Sequence, residues 1–219
     1  TGPKEGGPQY VRRFLQGDIR RCPAPEAGAV DASALTDLIK EADKPALKAP
    51  AERMAALTPI FGEAPAPLDA ESEELPGPTG ELNCLSNHPR GLVLCLGPDR
   101  ESALEQAATA LSQGNRVVLI APGVEDTVKK AAEAGLPVAG RDGLLVPEAL
   151  ATVDGFHGVA TCAETDLLRQ YRQALAKRDG ALLPLITEHT LDQRYVIERH
   201  LCIDTTAAGG NASLIASAE

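Results

Sequence analysis

The sequence predicts an α/β fold: a Rossmann-like, mostly parallel sheet with helices on both faces, a helical N-terminal extension and a C-terminal β-ribbon. Three observations carry this. Short apolar runs at 92–96 (LVLCL) and 116–121 (RVVLIA) lack polar alternation, as strands buried on both faces do. Amphipathic helical stretches alternate with these runs, which is the βαβ rhythm. The tail at 195–204 then alternates, the pattern of a strand wet on one side.

In chain order, residues 1–8 (TGPKEGGP) form a Gly/Pro-rich phrase, and a short helical stretch follows around 10–15. Asp31 or Ser33 is placed to cap a helix whose Leu35, Leu38, Ile39 and Ala42 share one face. A shorter helix fits 51–57, and the prolines, glycines and acids of 62–78 predict a linker. After the strand at 92–96, residues 101–113 predict a helix with Leu104, Ala107, Ala108 and Leu111 inward and Gly114 at its end. A helix at 126–134 stops at Gly135, and short strands fit 144–146 and 159–161. Residues 164–178 predict a strong helix with Leu168, Tyr171 and Leu175 on its core face, followed by a strand at 182–186. In the tail, Tyr195, Ile197, Leu201 and Ile203 fall on one side, and Glu198, His200, Cys202 and Asp204 on the other. A small-residue turn of Thr205, Thr206, Ala207, Ala208, Gly209 and Gly210 precedes Asn211 and a closing strand at 211–216. Such a ribbon has an edge that seeks a partner.

The bulk properties narrow the function. The 219 residues are 43% hydrophobic but only 3% aromatic, so the core is aliphatic and small side chains bring its layers close. A formal net charge of -10 argues against nucleic acid and anionic membranes, which need basic patches. The five cysteines are widely spaced, with no Cys-x-x-Cys pair, so no zinc site is expected and a reduced, cytoplasmic setting is. The start at Thr1 within a Gly/Pro phrase points to a fragment of something longer.

Three places were candidates for chemistry. Thr161, Cys162, Ala163 and Glu164 lie at a strand-to-helix junction, a natural anion site, yet Cys162 and Ala163 stand where glycines would let phosphate approach. Cys162 is a nucleophile candidate without a Cys/His motif around it, and Cys162 or Cys202 is a candidate redox-sensing thiol. The pair Glu188 and His189 could exchange protons, but polar residues commonly close a strand. Gly209, Gly210 and Asn211 lack the lysine and helix of a phosphate loop.

Particular phrases resemble a known family. Residues 158–188 (GVATCAETDLLRQYRQALAKRDGALLPLITE) are similar to the cofactor domain of aldehyde dehydrogenases. Residues 75–81 (LPGPTGE), with Asn83 after them, and 203–214 (IDTTAAGGNASL) resemble the C-terminal region of the longer proline utilization A proteins. Residues 1–25 then correspond to the end of a preceding dehydrogenase module, 26–79 to a helical segment and linker, 80–190 to the Rossmann-like domain and 191–219 to a β-flap.

The resemblance implies a parent that couples FAD-dependent proline oxidation to NAD-dependent oxidation of glutamate semialdehyde. The resemblance implies a cytoplasmic setting, with peripheral attachment of the parent at the inner membrane face left open. Few residues separate Glu188 from Tyr195, where active relatives hold a catalytic subdomain. The expectation is therefore a non-catalytic structural domain without catalytic residue or cofactor, the Thr161–Glu164 junction being a degenerate site. It would cover the aldehyde dehydrogenase module and the passage for the intermediate. Its partners would be the aldehyde dehydrogenase and proline dehydrogenase modules, and a second copy through the flap. The rival expectation is an NAD-binding or residual aldehyde dehydrogenase module.

Overall fold

A computed structural model describes residue 10 and residues 19–44, 49–68, 72–77, 79–188 and 192–204. The helix expected at 10–15 and the closing strand at 211–216 lie outside these, Tyr10 excepted. The chain divides into two compact units: Thr1–Leu15, Leu68–His88 and Ile197–Glu219 form one, Gln16–Pro67 and Pro89–Val196 the other.

The elements, in chain order, are β1 (Ala29–Val30), α1 (Ala32–Glu41), α2 (Pro50–Phe61), β2 (Glu73–Leu75), β3 (Glu81–Pro89), β4 (Leu92–Cys95), α3 (Arg100–Ser112) and β5 (Arg116–Ile120). Then come α4 (Glu125–Glu133), β6 (Val138–Arg141), β7 (Leu144–Leu145), α5 (Ala149–Thr152), β8 (Gly158–Ala160), α6 (Thr165–Ala176), β9 (Leu185–Ile186) and β10 (Val196–Asp204).

The larger unit is built on a five-stranded sheet in the order β6-β5-β4-β8-β9, and every pair in it is parallel. Alternate residues of each strand enter different cores, because side chains of a strand point to opposite faces. Val93, Cys95, Val117, Leu119, Val138, Ala160 and Ile186 face one core, which α2, α3 and α4 close with Leu57, Ala103, Ala107, Leu111, Val128 and Ala131. Leu92, Leu94, Leu96, Val118, Ile120, Ala139 and Val159 face the other, which α1, α5 and α6 close with Leu35, Leu38, Leu150 and Tyr171. Helices therefore cover both faces, as the uninterrupted apolar runs required. A two-stranded parallel pair, β1 with β7, accompanies the sheet.

The first helix begins where the sequence placed it. Asp31 is its N-cap and accepts a hydrogen bond from the Ala34 amide at 2.9 Å. Replacing Asp31 with alanine should cost about 1 kcal/mol of stability, since that amide loses its partner. Urea denaturation checks this; an unchanged midpoint would show that burial of Leu35 and Leu38 alone fixes the helix start. The second helix runs further than the expected 51–57, past Pro59 to Phe61. In its last turn the Thr58 hydroxyl donates to the Met54 carbonyl at 2.8 Å, and the Gly62 amide to the Thr58 carbonyl at 3.0 Å.

The smaller unit holds a three-stranded sheet in the order β10-β3-β2. Here the structure departs from the sequence reading. Residues expected as linker contain β2, which pairs antiparallel with β3 from Glu73↔Leu85 to Leu75↔Asn83. Pairing, rather than β-propensity, makes a strand of this acidic segment. Strand β10 forms close to its expected start but breaks the expected alternation: Glu198 is buried, whereas Leu201 and Ile203 are exposed. Among the described residues no helix is long and apolar enough to cross a membrane.

Candidate functional site

In an open parallel sheet, ligands bind outside the carboxyl ends of the strands, where the strand order reverses. Here that point lies between β4 and β8, the first strand of the sheet and the strand added on its other side. The loops leaving them are Leu96–Gly97–Pro98–Asp99 and Thr161–Cys162–Ala163–Glu164.

Gly97 organises the crevice. Its φ is +59°, and a Cβ there would lie 2.7 and 2.8 Å from the Asp99 backbone oxygen and nitrogen, so glycine is required. Its carbonyl accepts from the Cys162 amide at 2.8 Å, the Thr161 hydroxyl at 3.3 Å, the Cys162 thiol at 3.2 Å and the Gln106 amide at 3.2 Å. The Gly97 amide donates back to Gln106 at 3.1 Å. The β4 and β8 loops are thereby locked together.

Asp99 caps α3, accepting from the Ser102 amide at 3.0 Å and also from the Ser102 hydroxyl. Burial pushes the Asp99 carboxyl up, but the hydrogen bonds from Ser102 and Cys22 outweigh it and hold it below its ordinary value. Cys162 is buried, and burial first of all pushes its thiol up to about 12, the opposite of an activated nucleophile.

An extended segment from the chain's beginning joins the crevice. Cys22 bridges to Ala163 in parallel fashion, its amide donating to the Cys162 carbonyl at 2.8 Å. Cys22, Asp99 and Cys162 thereby gather, with their ligand atoms all within 4.8 Å of one another. The sequence singles out Cys162 and Cys202 but not Cys22, because spacing rules for zinc see only neighbours along the chain.

The cleft beside this cluster is lined by Arg20, Ser102, Gln106, Thr161, Glu188 and Tyr195 among others, and its cavity volume is about 20 Å³. Glu188 accepts from the Thr187 amide at 2.9 Å and pairs with Arg194 at 3.8 Å, so it is engaged structurally. His189, its expected proton partner, lies outside the described residues. Tyr195 is not on the ribbon: it ends a 3-10 turn, Asp192–Tyr195, and is buried in the first core. Ile197 begins the described part of the ribbon in the smaller unit, partly buried. Thr205, Thr206, Ala207, Ala208, Gly209, Gly210 and Asn211 lie outside the described residues.

For a dinucleotide's phosphate the two helix starts differ. That of α3 is taken by the Asp99 carboxylate. At α6 the N-cap Glu164 makes no side-chain capping bond, and Glu164, Thr165 and Asp166 are exposed, so its first-turn amides are not taken by a side-chain cap. The amides there can donate to a phosphate, against the two carboxylates of Glu164 and Asp166 at the same helix start, and the narrow cleft behind has room for water rather than for a base.

The chain shares its Rossmann-like fold with aldehyde dehydrogenase structures. The chain covers 60% of an apo indole-3-acetaldehyde dehydrogenase with a TM-score of 0.59 at 16% identity. It covers 52% of the same enzyme in complex with NAD+, with 81% of the chain superposed, a TM-score of 0.59 and 17% identity. More particularly, the chain is homologous to bifunctional PutA proteins. It is 33% identical to that of Escherichia coli K12 over 231 residues, and 33% identical to that of Salmonella typhimurium over 236 residues. Each alignment covers 98% of the chain but 17% of the relative, so the chain spans about a sixth of their length. No family model matches the chain.

These likenesses correct two expectations. A purely structural, non-catalytic cover domain does not describe a chain that shares the aldehyde dehydrogenase fold over 81% of its length and aligns with PutA over 98%. The expectation of no cofactor in this chain falls with it, because the shared fold is one that occurs in complex with NAD+. Missing glycines at Cys162 and Ala163 are therefore insufficient grounds for emptying the site.

Proposed function

We propose that this chain is part of the aldehyde dehydrogenase module of a longer bifunctional protein that converts proline to glutamate, and that it contributes NAD-binding surface. The observation that carries this reading is the parallel sheet's switch point between β4 and β8, adjoining the uncapped start of α6. NAD, when bound, accepts the two electrons of aldehyde oxidation. The chain's own residues hold and orient: the first-turn amides of α6 take a phosphate, and the Gly97 carbonyl keeps the Thr161–Cys162 junction in register. FAD-dependent proline oxidation belongs to other parts of the longer protein. The edge strand β10, with Leu201 and Ile203 exposed, is proposed as the contact to a neighbouring module or a second copy. Five free cysteines fit a reducing, cytoplasmic setting.

Calorimetric titration of the chain with NAD+ tests the reading. Saturable binding is expected with a dissociation constant below about 1 mM, within the usual range for enzyme ligands. Asp166→Asn should tighten it severalfold, since it removes a first-turn carboxylate that repels phosphate. An absence of saturation up to several times that concentration, or equal affinity in the variant, would refute the assignment of α6 as the phosphate point.

A further inference from the structure

We propose that Cys22, Asp99 and Cys162 bind a thiophilic divalent cation of the zinc class. Two sulfurs and a carboxylate oxygen, all within 4.8 Å of one another, match the scale of a tetrahedral shell. Metal–sulfur bonds of ~2.3 Å place two sulfurs about 3.8 Å apart. Zinc takes this donor set readily, whereas magnesium and calcium prefer oxygen alone.

Each ligand is held by its backbone. Cys22 is fixed by its bridge to Ala163, Asp99 by its position as the α3 N-cap, and Cys162 by the bond from its amide to Gly97. The side chains need little reorganisation. The Cys162 thiol, 3.2 Å from the Gly97 carbonyl, exchanges its proton for the metal, and Cys22 does the same. The Ser102 hydroxyl donates to Asp99 and lies 3.7 Å from the Cys22 sulfur, which makes it an outer partner that orients two ligands.

Charge and access agree. Two thiolates, one carboxylate and a divalent cation sum to one negative charge, and Arg20, shared with Glu101 and Glu105 at 3.8 Å, stands on the rim of the adjoining cleft. That cleft, also lined by Cys162 and Ser102, has a cavity of about 20 Å³, enough for the water that completes a three-ligand zinc shell. Among the described residues no other cysteine joins such a group: Cys95 is fully buried in an aliphatic core, and Cys202 bonds Glu81 at 3.0 Å in the smaller unit. The proposal stands independently of NAD binding.

The test uses the whole chain, reduced and stripped with a chelator, then titrated with Co2+ and afterwards Zn2+. One Co2+ per chain is expected, with sulfur-to-cobalt charge-transfer absorption that Zn2+ abolishes and Mg2+ does not. Cys22→Ser and Cys162→Ser should each remove that absorption. Asp99→Asn should weaken binding tenfold or more, and Cys84→Ser and Cys202→Ser should behave as the unchanged chain. Should the site variants fail to fold by circular dichroism, alkylation of the unchanged chain decides. Saturating Zn2+ should slow modification of Cys22 and Cys162 at least tenfold and leave Cys202 unaffected. The proposal is overturned by missing charge-transfer absorption, by binding that survives both cysteine changes, by absent protection, or by a Cys22–Cys162 disulfide forming in place of metal uptake.

Discussion

Replacing Tyr171 with alanine is expected to destabilise the larger unit by about 3–5 kcal/mol, the range for emptying a large aromatic from a packed core. Tyr171 sits on the inner face of α6 at 0% exposure and belongs to the core shared with Leu94, Val159, Leu145 and Leu150. Its hydroxyl donates to the Leu145 carbonyl at 3.1 Å, tying α6 to β7, which in turn pairs with β1. Alanine removes the ring, leaves a cavity among aliphatic neighbours and orphans that carbonyl. Tyr171→Phe keeps the ring and should cost about 1–3 kcal/mol, the penalty for one unsatisfied buried acceptor. Urea denaturation of the three proteins separates the contributions. If phenylalanine cost as much as alanine, the hydroxyl rather than the ring would hold α6 in place.

Tyr171 also shows how much of the fold was legible. Leu168, Tyr171 and Leu175 recur at helical spacing with Gly180 beyond them, and all three face inward in α6, Leu175 only partly. The same logic located α1, α3, α4, β4 and β5, because long periodic or fully apolar segments leave one way to bury their surface. It failed where tertiary pairing decides. Residues 138–141 (VAGR) are too short and mixed to announce a strand, yet β6 closes one edge of the sheet by pairing along β5 from Val117↔Val138 to Ile120↔Arg141. Strand β3 has no clean alternation and forms in the centre of the smaller sheet between β10 and β2.

The crevice was half legible. The Thr161–Glu164 junction follows from a strand meeting a helix, and it does lie at the switch point. Composition is a poor guide there: absent glycines suggest an empty site, although phosphate contacts use backbone amides, which the side-chain identities of a junction describe poorly. The cysteine cluster was out of reach altogether. Cys22 precedes the first strand of the unit and Cys162 follows its β8, so their meeting depends on the chain's beginning lying along the β8 loop. No spacing rule encodes that approach.

The remaining prediction concerns the hinge of that crevice: Gly97→Ala is expected to cost about 2–5 kcal/mol, combining a left-handed backbone with overpacking. Gly135 supplies the comparison. Its φ is +82°, but a Cβ there would meet nothing within 4 Å, so Gly135→Ala should carry only the conformational cost of about 1–2 kcal/mol. At Gly97 the φ of +59° is joined by an approach of 2.7 and 2.8 Å to the Asp99 backbone, which cannot rotate away as a side chain can. Asparagine tolerates a left-handed backbone better than alanine and should recover much of the loss at Gly135, yet little at Gly97, because it too carries a Cβ. Relief of the clash must move the Gly97 carbonyl, and with it the bonds to Cys162, Thr161 and Gln106. The Gly97 variant should therefore bind Co2+ and NAD+ more weakly than its stability alone explains, whereas the Gly135 variant should bind both normally. Denaturation midpoints and the two titrations, run on both variants, provide the check. Equal stability losses at the two glycines would show that the close approach to Asp99 does not constrain the loop, and that the switch-point geometry is set by the strands rather than by Gly97.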